Sequence, residues 1–216
     1  MNPTFSQKLS KADNTKAKII DTAITLFSEK GYENVSTKEI AKKSFVSEGT
    51  IFRYFNTKSQ LLHDAIFPIA SQILPTEVDR VTSEVLSNNN LNFTDFLTLF
   101  YNDRYQYVWK HFNALKVFFS RLLFNPQMKR DFLKMLSDKE VPTFIDVIEE
   151  YQRNHELTNL VNAEEIITGI ITQFVFLIVK EKIIEDNTTI SDNKRNDEIS
   201  KIVRNINTLY GGTDDD

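Results

Sequence analysis

Residues 36–58 read STKEIAKKSFVSEGTIFRYFNTK and hold five lysines or arginines against two acids. Cations at that density either neutralise phosphates or form a solvated basic face. Elsewhere the residues capable of chemistry are sparse. The three histidines, His63, His111 and His155, share no metal-ligand spacing, and the chain has no cysteine. The lack of cysteine removes thiolate nucleophiles, thiolate metal sites and disulfides together. No nucleophile stands beside a base and no phosphate loop is evident, so the expectation is no catalytic residue, no metal and no cofactor.

Charge divides along the chain. Residues 1–60 carry ten Lys/Arg against six Asp/Glu, and the remainder carries 16 against 24, although the whole has a net charge of only −4. An acidic total therefore leaves a basic N-terminal part free to meet a polyanion. The start, MNPTFSQKLSKADNTK, has no apolar signal core, and the most apolar run, 166–179, is interrupted by Thr168, Gly169, Thr172 and Gln173. The expectation is a cytoplasmic protein with no membrane partner.

Helices must position the basic segment. Glycine and proline number five each, and apolar residues recur at three- and four-residue spacing, which predicts an all-α chain. Ile20, Ala23, Ile24 and Phe27 form the stripe of a first helix from Lys16, stopped at Gly31. Ser36 and Glu39 predict a capping box for a second, ending near Ser44. Ser47 caps a third, from Glu48 to about Phe55, and Thr57 caps a fourth limited by Pro68 and Pro75. Longer helices are predicted at 77–86, 94–112, 114–124, 127–138, 142–155, 163–185 and 197–210.

Helices of about two turns cannot stand alone, so the second and third must be held by packing on the first and fourth. The connection between them, residues 45–47, is short enough to force a steep crossing. This is the geometry of a helix-turn-helix, whose second helix enters the major groove of duplex DNA.

At residues 19–62, IIDTAITLFSEKGYENVSTKEIAKKSFVSEGTIFRYFNTKSQLL, the chain resembles the TetR/AcrR-type transcriptional regulators. The resemblance rests on Leu26-Phe27, Lys30-Gly31-Tyr32, Ser36-Thr37, Ile40-Ala41, Val46-Ser47 with Gly49-Thr50, the aromatics Phe52, Tyr54 and Phe55, and Lys58. It implies that Thr37 and Lys38 meet DNA at the start of the second helix. It implies also that Ser47, Glu48, Gly49, Thr50, Arg53 and Tyr54 present the recognition helix, with Lys58 on a phosphate. Helix N-termini attract phosphate, and an arginine fork matches guanine O6 and N7. Two positions depart from the family's pattern. Phe45 stands where the turn favours glycine, and Phe52 where a tyrosine hydroxyl meets phosphate.

The resemblance implies a homodimer on a palindromic operator, formed by the last two long helices. Ile199, Ile202, Val203 and Ile206 form an apolar stripe without an evident partner in sequence and are therefore the expected dimer contacts. Tyr101, Tyr105, Trp109 and Phe112 recur on one face of an aromatic-rich helix and are expected to line a cavity for a mainly apolar effector. The expected organisation is a mobile arm (1–15), a helix-turn-helix domain (16–62), a helical effector-binding and dimerisation domain (63–210) and a disordered tail (211–216). The expected function is a ligand-responsive repressor. The alternatives are the same DNA-binding fold controlled by a protein partner, or a helical ligand-binding protein with a vestigial helix-turn-helix.

Overall fold

A computed structural model describes residues 11–73, 91–189 and 191–212, without the side chains of residues 11, 12, 139 and 140. The helix expected at 77–86 lies outside the described residues. Ten helices are described: α1 (Lys11–Lys30), α2 (Thr37–Ser44), α3 (Glu48–Tyr54), α4 (Lys58–Ala70), α5 (Phe93–Lys110), α6 (Phe112–Leu122), α7 (Pro126–Met135), α8 (Val141–Arg153), α9 (Ala163–Val179) and α10 (Asp192–Tyr210). Wider π-type turns carry α7 into α8 at Leu136–Glu140 and prolong α9 at Lys180–Ile184. No strand occurs among the described residues, and the fold is all-α.

The chain forms two compact units, the described part of residues 1–72 with 111–132, and the described part of 73–110 with 133–216. In the first unit α1 begins at Lys11, earlier than its apolar stripe predicts. The caps are as expected: Ser36, Ser47 and Thr57 accept from the N–H groups of Glu39, Thr50 and Gln60 at 3.0–3.1 Å. Each satisfies a helix donor that would otherwise lack a partner.

The core of this unit joins Ile19, Ala23, Leu26 and Phe27 of α1, Ile40 and Ala41 of α2, Ile51 of α3, and Leu61, Leu62, Ala65 and Ile66 of α4. Val117 and Phe118 of α6 and Met128 of α7 complete it. Sequence spacing had assigned everything after residue 62 to another domain. The packing instead groups 111–132 with the short helices. Arg121 secures the same grouping, 2.7 Å from Glu33 and 4.6 Å from the centre of the Tyr32 ring.

In the second unit α5 supplies a buried stripe, Phe93, Phe96, Leu97, Phe100, Tyr101, Tyr105 and Val108. Phe96 and Phe100 pack on Phe144 of α8, and Tyr101 stacks on Phe174 of α9 at 5.7 Å. α10 packs on α5 and α9. Its end is held by Tyr210, whose carbonyl accepts from the Thr158 N–H at 2.9 Å. A Cβ at Gly169 would lie 2.7 Å from the Tyr210 ring, so only glycine permits this approach.

The α10 stripe finds cover within the chain. Ile199, Val203 and Ile206 are buried within a single copy, and Ile202 is half-buried. The partner that the stripe lacked in sequence is α5, about a hundred residues earlier. Among the large apolar residues left exposed are Ile171, Val175, Phe176, Ile183 and Ile184 on α9 and its π turn, and Leu209 on α10.

Candidate nucleic-acid interface

The turn between α2 and α3 is built by Phe45, at φ 57° and ψ 42°. Its N–H reaches the Lys42 carbonyl at 3.3 Å, and the next N–H, of Val46, reaches Ala41 at 3.0 Å. The second bond spans five residues, and a left-handed residue makes it possible. The Phe45 side chain is 86 % exposed, with the Lys18 ammonium 4.8 Å from the ring centre. Its contact with α1 is thus a cation on a ring, not buried packing.

α3 presents its polar face outward. Ser47 Oγ lies 2.8 Å from Thr50 Oγ1 while also accepting from the Thr50 N–H. A Cβ at Gly49 would meet only Ser47 Oγ, at 3.8 Å. Nothing inside the chain therefore demands glycine there, whereas a surface that must approach a ligand closely gains from it. Arg53 is exposed, its guanidinium 5.3 Å from the centre of the half-buried Tyr54 ring. Lys38, Lys42 and Lys43 on α2 are exposed, as is Phe52.

Two of the expected contact residues meet each other. Thr37 Oγ1 donates to Glu48 Oε1 at 2.5 Å, joining the first turn of α2 to the first turn of α3. The bond fixes the relative position of the two helix N-termini, which is where phosphates are attracted. Lys58 is occupied differently. Its ammonium donates to the Tyr32 carbonyl at 2.6 Å and lies 4.1 Å from the centre of the Tyr32 ring. Burial lowers its pKa, the mark of an ammonium partly removed from water. Lys58 thereby clamps α4 to the loop after α1. Another contact not evident in sequence is Lys30 with Glu39, at 2.5 Å.

The four residues expected to line a cavity are separated. Tyr101 is fully buried and its hydroxyl donates to the Ile170 carbonyl at 3.0 Å, so it is a satisfied core residue. Phe112 does not continue the α5 face: α5 ends at Lys110, and Phe112 opens α6 in the other unit. Tyr105 and Trp109 remain together, stacked at 5.2 Å.

A short helix pair held on α1 and α4, with a left-handed turn and a polar outer face on its second helix, is the helix-turn-helix architecture. The family model described as bacterial regulatory proteins, tetR family, matches residues 19–65. Residues 19–65 belong to the TetR family of bacterial regulatory proteins. The chain is 50 % identical over 48 residues to the HTH-type transcriptional regulator YvkB of Bacillus subtilis, a match covering 22 % of this chain and 25 % of YvkB. It is 39 % identical over 51 residues to the biofilm operon icaADBC negative transcriptional regulator IcaR of Staphylococcus aureus strain Newman, covering 24 % and 27 %. These matches thus span about a quarter of each relative.

The TetR fold extends over the whole described chain. A TetR family transcriptional regulator from Pseudomonas syringae superposes with TM-score 0.66 at 15 % identity, covering 94 % of this chain and 98 % of that one. FadR of B. subtilis, solved in complex with stearoyl-CoA, does so with TM-score 0.64 at 15 % identity, covering 88 % and 96 %. Among the described residues no helix is long and apolar enough to cross a membrane.

Proposed function

We propose that this TetR-family protein is a cytoplasmic, ligand-responsive repressor that binds a palindromic operator as a homodimer. The observation that carries the DNA-reading part is the outward face of α3: exposed Arg53, and Gly49 in a place where nothing inside the chain requires glycine. On this reading Arg53 reads a guanine, and Ser47, Gly49, Thr50 and Tyr54 lie along the groove wall. Thr37 and Lys38 meet phosphate at the start of α2, with Glu48 as their brace. Lys58 positions α4.

The homodimer rests on the apolar surface of α9. Phe176 is 63 % and Ile183 65 % exposed, and Val175 and Ile184 continue the patch. A patch of large apolar side chains is costly in water and is covered at low cost by its own copy across a twofold axis. Two recognition helices then read half-sites about 34–36 Å apart. A mainly apolar effector that binds better to a different spacing lowers DNA affinity by linkage, by about 1–3 kcal/mol. Repression is favoured by the likeness of the first unit to IcaR, a negative regulator, and an apolar effector by the FadR complex with stearoyl-CoA.

The test is a mobility shift with the DNA upstream of the protein's own reading frame, against a scrambled duplex. Arg53→Ala should lose about 1–3 kcal/mol on the operator and little on the scrambled duplex. Equal binding of both duplexes by the unaltered protein would refute sequence-specific reading.

A further inference from the structure

An open groove of about 470 Å³ runs between α5 and α10 in the second unit. Its volume falls in the range of small-molecule sites, about 300–1,000 Å³. Among the described residues that line it, Val203 alone is apolar, and the others present hydroxyl, amide or guanidinium groups. None of them belongs to the apolar α9 surface on which the proposed homodimer rests.

The cation of the groove is Arg204, and it is exposed. Arg104, Arg121, Arg153 and Arg195 each pair with a carboxylate. The Arg204 side chain has neither an ion pair nor a hydrogen bond among the described residues. Three and four places away on α10 stand Ser200, Lys201, Asn207 and Thr208, none of them an acid. The acids next to the groove in sequence are already held, Asp197 by Lys201 at 2.6 Å and Asp95 by Asn92 at 2.9 Å. A free arginine fork is the group that grips a phosphate by two parallel hydrogen bonds.

The neutral groups beside it are sorted into donors and acceptors. Asn207 Nδ2 donates to Thr94 Oγ1 at 2.9 Å and ties α10 to α5. Thr94 is the acceptor of that bond, so its own hydroxyl proton is left for another partner. The Thr98, Ser200 and Thr208 hydroxyls are the reverse case. Each donates to the carbonyl four residues earlier, of Thr94, Asn196 and Arg204, at 2.7–2.8 Å. Their protons are committed, and toward a ligand they can only accept. The groove thus sets two donors, Arg204 and Thr94, beside three acceptors.

We propose that this groove binds a small polyhydroxylated anion of the sugar phosphate class. The phosphate takes the Arg204 fork and the Thr94 hydroxyl. The sugar hydroxyls donate to the oxygens of Thr98, Ser200 and Thr208, and the carbon skeleton lies over Val203. Neither half of the ligand suffices, since inorganic phosphate leaves the three acceptors to water and a neutral sugar leaves Arg204 unpaired. The site goes beyond the function proposed above and depends on neither the operator nor the dimer.

The whole protein is titrated calorimetrically with glucose 6-phosphate and with ribose 5-phosphate. Glucose and inorganic phosphate serve as the separate halves. A sugar phosphate should bind saturably and at least about tenfold more tightly than either half. Arg204→Met should bring that binding down to the level of glucose. Ser200→Ala should weaken the sugar phosphate about threefold or more and leave inorganic phosphate unchanged. Both positions are exposed, so circular dichroism should not change. Arg130→Met, which removes an exposed arginine in the other unit, should bind like the unaltered protein. Inorganic phosphate binding as tightly as the sugar phosphates would reveal a lone surface cation and overturn the site. No binding by either sugar phosphate, or unchanged binding in Arg204→Met, overturns it as well. The mobility shift enters none of these titrations, so failure of the repressor reading and failure of this site are read separately.

Discussion

Phe45 offers the sharpest check on the reasoning, because its backbone and side chain make opposing demands. At φ 57° a residue with a Cβ costs roughly 1–2 kcal/mol more than in a right-handed conformation, and glycine avoids that cost. Against the relief stand three losses on replacing Phe45 with glycine. With 86 % of the side chain in water, about 30 Å² of an aromatic surface of about 200 Å² is buried, worth roughly 0.7 kcal/mol. The exposed contact with the Lys18 ammonium is worth about 0.5 kcal/mol. The greater freedom of glycine in the unfolded chain adds about 0.5–1 kcal/mol. The terms nearly cancel, so Phe45→Gly should change stability by less than about 1 kcal/mol, a shift of at most about 4 °C in Tm. Phe45→Ala carries the first two losses and keeps the left-handed cost, so it should lose about 1 kcal/mol. Urea melts of the three proteins decide the matter. If glycine is less stable than alanine, the turn is not left-handed; if both lose several kcal/mol, the ring is buried in solution.

Three further outcomes are expected. Lys58→Met should lower stability by about 1–3 kcal/mol through the orphaned Tyr32 carbonyl and should leave the salt dependence of DNA affinity nearly unchanged; a salt slope reduced by about 1 would show instead that Lys58 neutralises a phosphate. Phe176→Glu should yield monomers by sedimentation with the helical circular dichroism intact, while Ile206→Glu should unfold the second unit because its site is wholly buried; a dimeric Phe176→Glu would refute the α9 interface. Glu198 has its pKa lowered, chiefly by its hydrogen bond with Lys180, so its contribution is complete above the ordinary glutamate pKa and is lost as pH falls through the lowered one; Glu198→Gln should flatten the acid limb of the stability profile between about pH 5 and 3, and an unchanged limb would show the pair to be inert.

Local signals in the sequence carried the first unit a long way. Ser36, Ser47 and Thr57 announce their helices because a cap is written within three residues of the N–H it satisfies. The left-handed turn followed from the family pattern around Val46, Ser47 and Gly49, even with phenylalanine in the glycine position. Long-range partners left no such mark. Val117 and Phe118 read as one more apolar stripe, and nothing near them in sequence says that they close the core under α1 and α4. Lys58 looked like a free cation at a helix start because its acceptor, the Tyr32 carbonyl, is backbone and lies 26 residues earlier.

The same limit applies to the stripe on α10. An apolar stripe such as Ile199, Val203 and Ile206 shows that a helix face is covered, but not by which element. Here the cover belongs to the same copy. α9 is apolar nearly all round, and such a helix must bury more than one face. One side of it, with Ile166, Ile170 and Leu177, is buried within the unit. The other side, at Val175 and Phe176, is exposed. The surplus of apolar residues in α9, over what its own core uses, is what the proposed dimer rests on. The π turn at its end makes the contrast within five residues: Glu181 is buried and the Lys182 ammonium lies over the Trp109 ring, while Ile183 and Ile184 face outward with Phe176. A polar pair turned in and an apolar pair turned out reverses the usual rule of burial.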